Sequence, residues 1–319
     1  MEIYMPKNKI QFQKGLSLPK FFNSYGTEEQ CEKVLYSMRW PQGLVCPDCG
    51  GSHHYKLKTR KLYQCSACKK QISLISGTIF EATKLQLTIW FLAIYLITQS
   101  KDGISSLNLA RTLGVSANAA LRMKHKLQHV MKLCDDSQAL SKLVQIDDAY
   151  LGGKRKGGKR GRGAEGKTPF VAAIMTNDKG HPVSMRFSVV AGFNKNDISN
   201  WAQKHLFPGT SVVSDGLNCF PAVKDAGCDH YAIVKSGGTT SMEYSEFKWV
   251  DTMIGNVKNS IHGTYHAISE KHVPRYLAEF CFRFNRRFEL GKMITQLAQA
   301  AVNTLPMPQR VLKQAEAWW

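Results

Sequence analysis

Four cysteines stand as Cys46-Pro-Asp-Cys49 and Cys65-Ser-Ala-Cys68, two C-x2-C pairs separated by fifteen residues. Each pair offers two sulfurs from one tight turn, and four thiolates so spaced close a tetrahedron around Zn2+. The stretch Gly50 to Gln64 is long enough for a short β-hairpin, so this segment reads as a zinc ribbon with a structural metal. The other five of nine cysteines, Cys31, Cys134, Cys219, Cys228 and Cys281, form no spaced framework. That pattern suits a reducing compartment and a cytoplasmic location. Cys219, Cys228 and His230 match no ligand spacing and read as buried groups.

A second set is acidic. The chain has 43 Lys and Arg against 24 Asp and Glu, so an acid placed directly after an apolar strand needs a reason. Asp147 follows Val144-Gln-Ile146, and Asp215 follows Val212-Val213-Ser214. Carboxylates that meet at a sheet edge repel one another unless a cation joins them. Mg2+ prefers such oxygen ligands and keeps positions open for water and phosphate oxygens. Two ions ~4 Å apart activate a nucleophile and stabilise the leaving oxygen of an in-line phosphoryl transfer. Asp148, by strand alternation, is expected to point away from Asp147.

The elements around these residues indicate a polyanionic partner. A formal charge of +19 costs self-repulsion unless nucleic acid or another polyanion offsets it. No lipidation signal, signal peptide or basic helix beside an anchor points to a membrane, and the apolar run Leu87 to Ile97 is too short to span one. Residues 84–135 read as helical, with a helix-turn-helix pattern inside Gly103 to Val130. Leu109, Ala110 and Leu113 face inward, Gly114-Val115-Ser116 turns, and Ala120, Met123, Leu127 and Val130 repeat at helical spacing. The opposite face of the second helix carries Asn118, Arg122, Lys124, His125 and Lys126, suited to bases and phosphates in a major groove. From Leu143 short β-rich runs alternate with helices, which predicts an α/β sheet of about five strands. A Gly-rich basic segment with Lys154, Arg155, Arg160 and Arg162 is expected to be a loop that meets DNA phosphates.

Taken together the chain resembles the bacterial insertion-sequence transposases of the DDE superfamily that carry an N-terminal zinc ribbon. The matching stretches are Cys46 to Cys68, Gly77-Thr-Ile-Phe80, Val144 to Lys154, Val213-Ser-Asp-Gly216, Gly263-Thr-Tyr-His266, Lys271-His272, Arg275-Tyr-Leu277 and Phe282 to Arg287. The resemblance implies an RNase H-like catalytic domain over 143–290, preceded by an N-terminal helix and zinc ribbon (1–83) and an all-α helix-turn-helix region (84–135), and followed by a helical tail (291–319). It further implies a homo-oligomer acting on transposon ends and target DNA with two Mg2+ or Mn2+ ions. Asp147 and Asp215 match the first two catalytic acids, and Asn256 matches the branch using Asn at the third position. Asp251 and Asp148 stand in reserve, and Lys258 and His262 are placed near the phosphates of the transposon end. Three other readings compete: a zinc-ribbon transcription regulator, a metal-dependent nuclease or inactive transposase-derived DNA-binding protein, and a tyrosine recombinase using Arg275, Tyr276 and Arg283.

Overall fold

The computed structural model describes residues 15–57, 60–152, 166–233 and 247–315. Lys154, Arg155, Arg160 and Arg162 lie outside the described residues. The chain divides into two compact units, one made of residues up to Val130 plus Arg287–Lys313, the other of Met131–Arg286 with the remaining C-terminal residues.

In the first unit, α1 (Leu18–Tyr25) precedes α2 (Glu28–Arg39). Thr27 starts α2 with a capping box, its hydroxyl accepting from the Gln30 N–H while the Gln30 side chain accepts from the Thr27 N–H. Such caps contribute about 1 kcal/mol. The ribbon follows as an antiparallel sheet of β1 (His54–Lys56), β2 (Leu62–Cys65) and β3 (Gln71–Ser73). Tyr36 and Trp40 of the α2 end pack against Tyr63, and Arg39 donates to the Ser73 carbonyl at 2.8 Å. These contacts fix the ribbon to the helix.

Helix α3 (Leu87–Gln99) buries Trp90, Phe91, Ile94 and Ile97. Next come α4 (Ser106–Leu113) and α5 (Ala117–Asp136). Gly114 ends α4 in the left-handed region (φ 65°), and Ser116 caps α5 by accepting from the Ala119 N–H at 3.2 Å. The expected helical hairpin is therefore present, with Ala120, Met123, Leu127 and Val130 all buried.

The second unit is built on a mixed five-stranded sheet of β4 (Leu143–Leu151), β5 (Thr168–Thr176), β6 (Pro182–Val189), β7 (Ser211–Ser214) and β8 (Asp229–Ala232), ordered β6-β5-β4-β7-β8. Strands β4, β5 and β6 run antiparallel in sequence, whereas β7 and β8 add parallel to β4. This is the RNase H-like arrangement that the resemblance implied. Parallel strands need a crossover connection, and α6 (Lys195–His205) provides it between β6 and β7. Even-numbered β4 residues Val144 and Ile146 pack against Ile198 and Trp201 of α6. The odd-numbered Ala149 and Leu151 face a core shared with α7 (Lys248–Ser260) and α8 (Val273–Asn285). Helix α8 also buries Arg275, Glu279 and Arg283; Glu279 pairs with Arg283 and accepts from the Tyr265 hydroxyl at 3.0 Å. Finally α9 (Met293–Asn303) and α10 (Gln309–Gln314) follow, and α9 packs on α2 and α3. No helix among the described residues is long and apolar enough to cross a membrane.

Candidate active site

The four cysteines come together, and so do Asp147 and Asp215 of the acidic set. In the ribbon, the sulfurs of Cys46 and Cys68 lie 3.5 Å apart, as do those of Cys49 and Cys65, and all four fall within 4.8 Å of one another. A tetrahedron with Zn–S of about 2.3 Å has an edge near 3.8 Å, so these sulfurs fit Zn2+. The turns that present them are alike. Gly50 donates to the Cys46 carbonyl at 2.9 Å and Lys69 to the Cys65 carbonyl at 3.2 Å, and both residues sit at positive φ, 72° and 63°. Inside each turn backbone N–H groups reach back to the first sulfur. Those of Cys49 and Asp48 hold the Cys46 thiol below its ordinary value, and those of Cys68 and Ala67 bring Cys65 down to about 7. Each knuckle thus favours its first thiolate, whereas Cys68, although the Lys70 N–H lowers it, is pushed up to about 12 by its hydrogen bonds with the Cys49 and Cys46 sulfurs.

The acidic set depends on strand register. Ile146 of β4 stands beside Ser214 of β7 in a parallel pair, so the next residue on each strand, Asp147 and Asp215, emerges at the same point. Strand β4 does not stop there. It continues to Leu151 against β5, and the expected strand end is instead the end of the β7 pairing. Carboxylate oxygens of Asp147, Asp148 and Asp215 lie within 4.8 Å of one another. Pleat alternation therefore fails to keep the Asp148 carboxylate away, and the Asp148 N–H donates to Asp147 Oδ1 at 2.8 Å. Burial, then the charges of Asp148 and Asp215, push Asp147 up to about 7, with Asp251 adding to the rise. Such crowding of like charge in a half-buried place is what a bound cation relieves.

At the third position, α7 carries Asp251 and Asn256 on different faces. Asp251 and Lys258 are seven residues apart on α7, so they share one face to within about 20°. Both act electrostatically on Asp147. Asn256 is about 140° around the helix from Asp251, and it is exposed. The charge of Asp251 reaches Asp147, whereas Asn256 lies on a different, exposed face of α7. Burial lowers the Lys258 pKa while Asp147 and Asp148 oppose that shift and Lys167 reinforces it. His262 lies exposed on the following π-helical turn, Ile261–Tyr265.

The expected DNA-reading face of α5 needs correction. Asn118 and Arg122 are exposed, and Arg122 donates to Gln309 Oε1 at 3.0 Å. Lys124 is buried and donates to the Ile104 carbonyl. His125 is also buried. Lys126 donates to the Ile79 carbonyl at 2.8 Å, and burial lowers its pKa. Helix α5 is packed on more of its circumference than a two-helix reading allows, because segments distant in sequence cover it.

Two polar groups went unnoticed in the sequence. Gln145, buried on β4, accepts from the Val250 N–H at 3.2 Å. Ser214, beside Asp215, shares a 2.8 Å hydrogen bond with His230 Nε2. A glutamine inside an otherwise apolar strand was the available signal for the first; the second depends on the β7–β8 register.

Parts of the chain are similar to known proteins. Residues 139–285 match the model of the ISXO2-like transposase domain, and residues 26–71 that of the transposase zinc-ribbon domain. An uncharacterized protein in transposable element ISH50 of Halobacterium salinarum is 26% identical over 141 residues, 43% of this chain and 46% of the relative. The chain thus spans less than half the length of that relative. Two crystal structures, the Mos1 strand transfer complex and the Mos1 mariner paired end complex with Mn, are each similar at 12% identity, covering 65% of this chain and 78% of theirs. Their TM-score of 0.22 is too low for the superpositions to carry weight.

Proposed function

We propose that this chain, similar over residues 139–285 to the ISXO2-like transposase domain and over residues 26–71 to the transposase zinc ribbon, cuts DNA at the ends of an insertion sequence and joins the freed strand to target DNA. The observation that carries this reading is the meeting of Asp147, Asp148 and Asp215, with the charge of Asp251 on α7 also felt by Asp147. Asp147, Asp215 and Asp251 would hold two Mg2+ or Mn2+ ions. Bound there, the ions would activate the attacking oxygen and stabilise the leaving one.

The protein's own groups bind and orient the DNA. Lys258, on the same face of α7 as Asp251, offers a cation to a phosphate brought against the carboxylates. Asn118 and Arg122 at the exposed start of α5 contact DNA, while Lys154, Arg155, Arg160 and Arg162 add salt-dependent attraction. Two element ends and one acidic centre per chain call for at least two copies in the active complex, working in the cytoplasm. The ribbon (1–83), the helical region (84–135), the catalytic domain (143–290) and the tail (291–319) are the modules of this reading. A tyrosine recombinase fits poorly, since Tyr276 is buried and burial pushes its phenol up to about 12.

The test is cleavage of a labelled transposon end by full-length protein with Mg2+, followed by transfer to a target plasmid. Metal ligands contribute several kcal/mol to the transition state, so Asp147→Ala and Asp215→Ala should each slow both steps about 10³-fold or more. Asp251→Ala should approach that loss, and Asn256→Ala should stay within about threefold, as expected of an exposed residue off the site. Cleavage without any strand transfer would instead identify a nuclease. An inactive Asn256→Ala beside an active Asp251→Ala would restore Asn256 as the third ligand.

A further inference from the structure

The acidic centre draws on two elements far apart in the chain, and one side chain ties them together. Helix α7 begins poorly. Its N-cap is Phe247, whose side chain can accept no hydrogen bond, and no side chain of its own caps it. The first N–H groups of a helix have no partner within it. The third of them, on Val250, is taken by the Gln145 side-chain carbonyl at 3.2 Å. Gln145 thus acts as the cap of a helix more than a hundred residues further on.

Its own position is rigid. Gln145 is buried on the central strand, beside Ile174 of β5 and Val213 of β7. An amide in such a place is costly unless it is hydrogen-bonded, so the contact selects one depth and one rotation for the start of α7. Asp147 lies two residues along the same strand on the same face, about 7 Å away. Asp251 immediately follows Val250, and its N–H closes the first helical bond to the Phe247 carbonyl at 3.1 Å. The capping bond therefore links the residue before one acid to a position two before the other.

We infer that Gln145 is a positioning residue that sets Asp251 against Asp147 and so tunes the affinity of the acidic centre for divalent cations. This rests on the proposed reading of that centre. The test uses full-length, zinc-loaded protein and Mn2+ as probe, with titration calorimetry, the Mg2+ dependence of end cleavage, and end binding by gel shift. Gln145→Leu keeps the side chain's bulk but removes the acceptor. It should bind DNA ends like the parent, yet bind Mn2+ about tenfold more weakly and need correspondingly more Mg2+ for half-maximal cleavage, as outer-shell partners of metal ligands do. Gln145→Glu keeps an acceptor and should stay within about threefold of the parent. Folded Gln145→Leu with unchanged Mn2+ affinity and Mg2+ dependence overturns the inference. If Gln145→Leu does not fold, Gln145→Glu decides: a tenfold loss of metal affinity despite the retained acceptor overturns it equally. Asp147→Asn separates this from the underlying reading. Loss of Mn2+ binding in Asp147→Asn with none in Gln145→Leu refutes the positioning role alone, whereas Mn2+ binding unchanged in Asp147→Asn refutes the centre itself.

Discussion

The ribbon and the acidic centre solve the same problem, gathering anionic ligands, in opposite ways. The four sulfurs come from two turns within one short segment, and each turn helps its first thiol to ionise. The carboxylates come from Asp147 and Asp148 on β4 and Asp215 just past β7, far apart in sequence, and burial and mutual repulsion make Asp147 harder to ionise. A site whose turns already favour two of its thiolates, and whose fourth ligand closes the tetrahedron, suits a resident structural ion. A site whose carboxylates repel one another when empty gains by taking up a cation, but the proton that Asp147 retains competes with it, and Mg2+ keeps positions open for phosphate and water. The difference separates a metal that builds the fold from one that the fold was built to hold.

The largest test of that contrast lies in the ribbon. Structural zinc supplies folding free energy directly, roughly 10 kcal/mol or more in small zinc domains. Cys49→Ser should therefore lose the bound zinc and the order of β1, β2 and β3, seen by metal analysis and amide exchange. Asp147→Ala should leave the fold of the second unit in place. Equal unfolding by both variants would erase the distinction.

A smaller effect concerns pH. Asp147 titrates at about 7 in the folded chain against about 3.9 when unfolded. Between those values the unfolded chain has released a proton that the native chain retains, so stability falls as pH rises and levels off above about 7. The full shift corresponds to a few kcal/mol. His205 acts oppositely, because burial and then Arg186 bring it down to about 3; its native form resists protonation, so it adds stability as pH climbs toward 6.5. The difference between wild type and Asp147→Asn isolates the carboxylate. In magnesium-free denaturant unfolding, the variant should gain on wild type from pH 4 to 7, and added Mg2+ should reverse that gain. A pH-independent difference would show that Asp147 is not strained.

What could be read from the sequence follows the same division. The ribbon was legible because its ligands, turns and strands are local. The α/β sheet of about five strands was legible in outline, since short β-rich runs alternate with helices from Leu143, but its order β6-β5-β4-β7-β8 was not. The third acid was not, because choosing between Asp251 and Asn256 requires the rotation of α7 about its axis. That rotation is fixed by Gln145 and by the packing of Val250, Ile254 and Val257, none of it visible in α7 alone. The DNA-reading face of α5 misled for a related reason. Polar residues opposite an apolar stripe look solvated, yet Lys124 and Lys126 spend their charges on the Ile104 and Ile79 carbonyls.

The smallest predicted effect probes how the ribbon presets its ligands. Gly50 closes the first knuckle at φ 72°, and a Cβ there would meet nothing within 4 Å. The penalty of Gly50→Ala is then purely conformational, about 1 kcal/mol for an L-residue in the left-handed region. Since the turn is needed only when the sulfurs gather, that cost should appear as a roughly fivefold loss of zinc affinity in a competition titration. No comparable handle exists at the other centre, where Asp147, Asp148, Asp215 and Asp251 all have negative φ. Their arrangement is imposed by register and packing instead. Unchanged zinc affinity in Gly50→Ala would mean that the metal, rather than the turn, dictates the shape of the knuckle.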